Sequence, residues 1–510
     1  MSAAIVFPFL LWLLRYINLD FWYDEVFTLN NYVFVPLKRT ITDYSFSNNH
    51  IFFNLINNIF LRFTDTKHIY ELIDHTYVIR LVQLAYTLVT FSYLYLIGKK
   101  FFNKFVAQLS LIFLATTVPY YNFAVQVRGY SLSIMLLCMA LYHLWSFERK
   151  LGWADTLALL LSSSLAIYTM PSNVYVILGM ALFYLSAGVV HFIGKRESDP
   201  KKTGGKKAGK PSFLQIFYDY NKYLLAFFIL VAGILLAAFF YLPVMHQLLH
   251  NPDTESKGLF NAGVLVGAMP QVFVHFISQR YLLIPLMLSG VVYCIVSLKK
   301  GKKEFLKEAL FLFITLLLPF VFSFVRGDAP FDRVFIVLTP LFALLLALTI
   351  YFLQSAIPVL RSRTMLITIA LFVYCNLTFA SSIEHIKQYL RDDIEKGHKS
   401  QDIYYNYYQA YYHPLKILTD FSQKRTRTFP VFTYEYDVMA LPTYLEKVQV
   451  RSYGVRTLDP LLRSQKHVYV ITSFPNKFES MMKQKYPRSE TKRINEQLDF
   501  HTIFLVEEND

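Results

Sequence analysis

The stretch LRYINLDFWYDEVFTL places Asp20, Asp24 and Glu25 directly after a first apolar run, among Phe21, Trp22 and Tyr23. Aromatic side chains of this kind settle at a membrane–water interface, and a carboxylate at that depth is costly to desolvate unless it is paired or used. A carboxylate held against an acceptor hydroxyl can take its proton as a general base; the alternative is a set of solvated loop acids. Ser47-Asn48-Asn49-His50 then precede IFFNLINNIFL, where the histidine either caps and packs the next helix or takes a direct part in chemistry. Two arginine clusters follow, PYYNFAVQVRGYSLSIMLL with Arg128 and Tyr130, and SFVRGDAPFDRVFIVLTP with Arg326, Asp328, Asp332 and Arg333. A guanidinium keeps its charge and offers a fork that fits phosphate. Snorkelling toward the interface is the competing account of Arg128, and mutual ion pairing that of the four late charges.

The elements that must position these residues are membrane helices. Of 510 residues, 55% are apolar and 17% charged, with a mean hydropathy of +0.36, more apolar than a water-soluble chain. Apolar segments near spanning length fall at 2–18, 76–98, 103–121, 130–147, 152–169, 172–193, 222–243, 281–297, 306–325, 332–355 and 364–382, predicting about eleven transmembrane helices. The segments 50–63 and 259–278 read as re-entrant or interfacial helices. The first run reads as an uncleaved span, since acids and not small residues follow it.

The net charge of +15 resolves into orientation. Lys99-Lys100, Arg149-Lys150, the stretch Lys195 to Lys210, the cluster Lys299-Lys300-Gly301-Lys302-Lys303, and Arg361 with Arg363 fall on alternate connections. By the positive-inside rule these connections are cytosolic and the N-terminus lies inside. The basic residues are thereby accounted for without nucleic acid. The Gly/Lys-rich connection 194–221 reads as a flexible cytosolic linker, lacking the phosphate-loop fingerprint. Connections 19–75, 244–280 and 326–331 then lie outside, and with them the acids and arginines. Residues 386–510 follow the last span as a soluble extracytoplasmic α/β domain, with strand-like runs at 429–433, 445–451, 467–472 and 501–506 and a helix-like piece at 475–485. Cys138, Cys294 and Cys375 sit in apolar runs and predict no disulfide framework.

The ordered set of a short first span, FWYDE, an N-H before an apolar helix, R-G-Y opening a span, a late DRVFIVLTP and an outer C-terminal domain resembles the C-type (GT-C) membrane glycosyltransferases. The likeness covers residues 1–385 and is greatest to the dolichyl-phosphate-mannose protein mannosyltransferases and the bacterial lipid A aminoarabinose transferases. It implies an inverting transferase that takes sugar from a polyprenyl-phosphate donor at the outer face, using no nucleotide. Asp24 is similar in position to the catalytic acid of that loop, with Glu25 beside it. His50 matches the family's N-H, and Arg128 with Tyr130 its R-x-Y. Arg333 and Pro340 match the basic residue and proline of the late motif. Many members carry an acid two positions before the arginine where this chain has Gln126; the departure weakens the case for a second carboxylate there and with it the inference of a metal, whose requirement stays open, and no other cofactor is implied.

Three arginines, Arg128, Arg326 and Arg333, thus compete for the donor phosphate, with His50, Gln126, Tyr130, Asp328 and Asp332 as substrate-binding or structural neighbours. The expected partners are the lipid-linked donor, membrane lipids, and a lipid, glycan or protein acceptor. The expected location is a bacterial inner membrane. The rival reading is a transporter or flippase for a lipid-linked or anionic solute; it would place its acids at mid-membrane, whereas these cluster at one face.

Overall fold

The computed structural model describes residues 2–197, 213–251, 260–278, 280–299, 305–327, 332–395, 415–425, 431–432, 440–450, 453–454, 458–465, 467–472, 475–494 and 502–508. Long runs of Leu, Ile, Phe and Val form helices because a backbone in hydrocarbon must satisfy its own N–H and C=O groups. Seven helices among the described residues are long and apolar enough to cross a membrane: Tyr77–Phe102, Tyr130–Arg149, Pro171–Phe192, Asn221–Phe240, Leu306–Arg326, Arg333–Ala356 and Thr364–Glu384. The remaining expected spans are shorter helices, Ser2–Tyr16, Lys104–Ala115, Trp153–Thr169 and Leu283–Lys299. Tyr130–Arg149 and Arg333–Ala356 bury 78% and 83% of their apolar stretch and form the centre, whereas Asn221–Phe240 buries 22% and stands at the periphery.

The expected span at 103–121 is broken. Its helix stops at Ala115, and a separate helix, Val118–Phe123, follows. Thr116 and Thr117 turn their hydroxyls back onto Ile112 O and Phe113 O, and the buried Arg280 donates to Phe113 O, Thr116 Oγ1 and Thr117 Oγ1 at 3.0, 2.7 and 3.0 Å. A cation at a helix C-terminus satisfies carbonyls that have no partner in their own helix. The break delivers the chain to the loop that carries Arg128. Segments 50–63 and 259–278 contain the short helices Ile51–Phe63 and Val264–Ile277.

The body has two chemically distinct ends. At one, Arg149 donates to Lys100 O and Phe101 O, and Lys100 to Tyr142 Oη and Ser146 Oγ; Lys222 and Lys307 meet Glu148 there. At the other end lie Asp24, Arg128, Arg326 and Arg333.

In the C-terminal part, β1 (Val431–Phe432), β2 (Tyr453–Gly454), β3 (His467–Thr472), β4 (Ser489–Ile494) and β5 (Thr502–Glu508) form one sheet in the order β2-β1-β3-β5-β4. β1 runs parallel to β2 and β3, and β5 lies antiparallel to β3 and β4, with Val470 opposite Phe504. Helix Pro475–Lys485 covers it through Phe478, whose ring lies 5.0 Å from that of Phe504. Of the run 445–451, expected as a strand, residues 445–450 are the end of helix Leu441–Lys447 and its turn, and 451 lies outside the described residues. β4 went unforeseen because SETKRI is polar throughout most of its length. Helix Thr364–Glu395 crosses the expected boundary at 385 without interruption. The domain rests on the 19–75 connection: Phe21 N–H donates to Tyr444 Oη at 2.7 Å, Tyr70 Oη donates to Glu446 Oε2 at 2.9 Å, and Lys447 pairs with Asp74.

Candidate active site

The acidic turn is built around Glu25. Trp22 is extended, helix Tyr23–Thr28 begins after it, and Glu25 accepts the Trp22 N–H at 3.2 Å, closing the helix start. Its other oxygen accepts Val127 N–H at 2.9 Å. Arg80 spans both oxygens at 2.9 and 3.4 Å, and neither side chain is exposed. The same guanidinium donates to the carbonyls of Tyr16, Ile17, Leu19 and Asp20, closing the end of helix Ser2–Tyr16. Glu25 was expected beside Asp24 as a catalytic acid. It instead faces inward, with both oxygens engaged, and ties together the first helix, the acidic turn and the loop before Arg128.

Asp24 faces the other way. Its Oδ2 lies 2.9 Å from an Arg333 nitrogen and 3.6 Å from an Arg128 nitrogen. Arg128, 1% exposed, is fixed by bonds to Thr28 Oγ1 at 2.8 Å and Asn48 Oδ1 at 3.0 Å. Arg333 comes from the tight turn Asp332–Leu338 that leads into helix Thr339–Ala356. One carboxylate between two guanidiniums leaves positive charge in a site mostly shielded from water, where electrostatic interactions are strong.

That charge opens onto a cavity of about 380 Å³ whose wall includes Arg128, Arg326, Arg333, His50, Tyr130 and Asn48, a volume in the ordinary range of ligand sites. Arg326 donates to Tyr175 Oη at 2.9 Å. His50 Nδ1 accepts the Gly129 N–H at 2.8 Å, so a neutral ring carries its proton on Nε2. Burial, then the Arg128 and Arg333 charges, hold the imidazole well below its usual 6.5 and keep it neutral. The ring stands edge-on to Tyr130, 5.5 Å between centroids. Gly129 is required for this approach: a Cβ there would lie 2.8 Å from His50 Nδ1 and 2.9 Å from its Cβ and Cγ. Packing and cavity lining are therefore both true of His50.

Residues 67–196 match the model of the dolichyl-phosphate-mannose-protein mannosyltransferase family, a segment that contains Arg80, Arg128 and Tyr130. Among solved structures the chain is similar to ArnT from Cupriavidus metallidurans in the apo state, at 11% identity and a TM-score of 0.55 over 99% of this chain and 97% of that one. The structure of the same ArnT bound to undecaprenyl phosphate is similar over the same shares, at 11% identity and a TM-score of 0.51. The chain has the fold of ArnT. No curated protein matches it by sequence. The resemblance read from the ordered motifs is borne out by both the family match and the fold.

Within this fold, Arg128, Arg333, Arg326, His50 and Tyr130 share one cavity wall, and Asp24, not itself part of that wall, joins them through its contacts with Arg128 and Arg333. Gln126 is fully buried and is not part of the cavity wall. Asp328 and the Asp332 side chain lie outside the described residues. Sequence reasoning missed Arg80, although a lone arginine inside the apolar run YVIRLVQLAY is the kind of intramembrane charge that signals a buried partner. It missed Thr28 and Tyr175, which hold the arginines, and Ser323, which lines the cavity with a buried hydroxyl that has no partner among the described residues; no local pattern marks any of the three.

Proposed function

We propose that the chain is an inverting glycosyltransferase that moves a sugar from a polyprenyl-phosphate donor to an acceptor at the outer face of a bacterial inner membrane. The support for this reading is the cavity walled in part by Arg128, Arg326 and Arg333, two of which, Arg128 and Arg333, also contact the Asp24 carboxylate. An acceptor hydroxyl or amine enters from the aqueous side and attacks the anomeric carbon. Asp24 takes its proton, the new bond to the sugar forms, and the anomeric carbon–oxygen bond breaks on the opposite face. The electron pair leaves on the lipid phosphate, whose growing charge meets guanidiniums that are already in place. His50 offers its Nε2–H to a sugar or phosphate oxygen. Glu25 and Arg80 position the turn and do not touch substrate.

The basic end of the body faces the cytosol and the site the outside, as the positive-inside rule requires. The complex of ArnT with undecaprenyl phosphate supports a lipid-linked donor for this chain. A transporter would place its paired charges at mid-membrane, and these stand at the mouth. The acceptor is a lipid, a glycan or a protein side chain. Purified protein incubated with radiolabelled polyprenyl-phosphate sugars and native membrane extract should pass label to one acceptor class. If no donor supports transfer or hydrolysis, the assignment as a transferase fails.

A further inference from the structure

A second cavity, of about 660 Å³, opens at the basic end, remote from Asp24, where helices Val174–Glu197, Phe213–Phe240 and Leu306–Arg326 meet. Its depth is apolar, formed by Leu182, Phe183, Ala187, Ile314 and Leu318. Val190 and Leu310, on its rim, are 71% and 50% exposed, so it opens sideways from the helix bundle, toward acyl chains.

The rim at the helix ends is polar and cationic. Lys222 and Lys307 each place their ammonium 5.4 Å from the centroid of the Tyr223 ring, and the His191 ring lies 5.6 Å from the same ring. Glu148 is the acid between them. It pairs with Lys307, lies 3.9 Å from Lys222 and accepts a bond from Tyr184 Oη at 2.7 Å. An ammonium has three N–H groups, so each lysine keeps donors beyond this contact. Glu308 is the second acid near Tyr223, and together the two glutamates balance the two lysines. The excess positive charge comes from the chain next to these helices. Residues 195–210, joining two of them, hold seven Lys or Arg against two acids, and 299–304, preceding the third, hold four Lys against Glu304.

We propose that this cavity binds an anionic phospholipid, with an acyl chain between helices Val174–Glu197 and Leu306–Arg326 and the phosphate at Lys307 and Tyr223. The apolar depth selects a lipid over a free phosphate, and the lysine N–H groups at the rim, on helices whose ends continue in sequence into basic chain, favour an anionic headgroup over a zwitterionic one; basic residues at a cytosolic face are suited to acidic lipids. The site is independent of the proposed transfer reaction.

The test uses the full-length protein, delipidated in detergent and titrated with phosphatidylglycerol, phosphatidylcholine of the same chains, or inorganic phosphate. Phosphatidylglycerol should raise the melting temperature saturably, and the other two should not. Lys307→Gln should weaken the phosphatidylglycerol effect about tenfold, as loss of one charge-assisted contact does, whereas Lys307→Arg should retain it. Ser186→Trp, which fills the groove without touching a charge, should abolish it. Equal effects of the two lipids, a response to phosphate alone, or full binding by Ser186→Trp would overturn the proposal. If a variant does not fold, a photoactivatable phosphatidylglycerol applied to the wild-type protein decides. Label concentrated in peptides 182–191 and 307–318 supports the site, and label spread evenly over the lipid-facing helices refutes it.

Discussion

Asp24 and Glu25 are adjacent in sequence, and substituting each by its amide should produce opposite defects. Glu25→Gln strikes a pair with no exposed surface. The amide nitrogen must occupy one of two oxygen positions. In one it meets Val127 N–H and Arg80 Nε, and in the other Trp22 N–H and the second Arg80 nitrogen. Either choice sets donor against donor and leaves Arg80 charged without its acid. Breaking a buried pair from one side costs about 3–5 kcal/mol; the four carbonyls that Arg80 still holds put the expected loss near the lower value. Asp24→Asn removes one contact at 2.9 Å and one at 3.6 Å. Arg128 keeps Thr28 and Asn48, and Arg333 lies at a cavity that water can enter, so the expected loss is about 1.5–3 kcal/mol, the range for bonds to charged groups and below that of the fully buried pair. Chemistry reverses the ranking, because removing a general base slows transfer by about 10²–10⁴-fold.

The assay pairs thermal denaturation of the purified variants with transfer of radiolabelled sugar from a polyprenyl-phosphate donor. Asp24→Asn should melt only modestly below wild type and transfer almost nothing. Glu25→Gln should melt clearly earlier and retain transfer in its folded fraction at low temperature. A stable, inactive Glu25→Gln beside an active Asp24→Asn would exchange the two roles and refute the assignment of the inward-facing acid to structure.

Three further outcomes follow from contacts around the same turn. Gly129→Ala forces a Cβ to within 3 Å of His50; the overpacking should cost about 1–3 kcal/mol in thermal melts, and His50→Ala in the same chain should recover part of it. Tyr444→Phe removes the acceptor of the Phe21 N–H, which should cost about 1–3 kcal/mol for a buried unpaired donor and lower transfer along with stability; transfer unchanged in this variant would sever the link between the soluble domain and the acidic turn. His50 is held neutral in the fold, so below its ordinary 6.5 the unfolded chain binds the extra proton. Wild-type stability should therefore fall as pH drops through that value, by at most about 1.4 kcal/mol per pH unit. Melts of wild type and His50→Gln between pH 7.5 and 5 should diverge, and parallel curves would contradict the burial argument.

The membrane fold was legible because spanning helices announce themselves in composition and because lysine and arginine mark one set of connections. What remained hidden depends on partners far along the chain. The run at 103–121 is continuous in hydropathy, and only Arg280, more than 150 residues away, shows why its helix ends at Ala115. Asp24, Arg128 and Arg333 were each visible as charges at one face, yet their meeting joins positions 309 apart, which no local pattern encodes. The roles of Asp24 and Glu25 were undecidable for a simpler reason. Successive residues on a helix point about 100° apart, so one of the pair must face inward, and the inward side is fixed by Arg80 and by Val127 N–H.

These ties explain how the carboxylate proposed as the base can be held on a helix of six residues, too short to be stable alone. The turn is held from three sides by groups of different origin. Arg80 reaches it from a membrane helix, Val127 N–H from the loop that supplies Arg128, and Tyr444 from the soluble domain through Phe21. The second tie also sets distance: the residue whose N–H meets Glu25 precedes the arginine that faces Asp24, so a shift of the turn would carry the arginine loop with it. The spacing between base and phosphate-binding charge is thus conserved even when the turn moves as a whole. Movement of the soluble domain, by contrast, reaches the turn through Phe21 and would tilt it against its arginines. An acceptor docked on that domain would therefore have a mechanical route to the carboxylate proposed to take its proton.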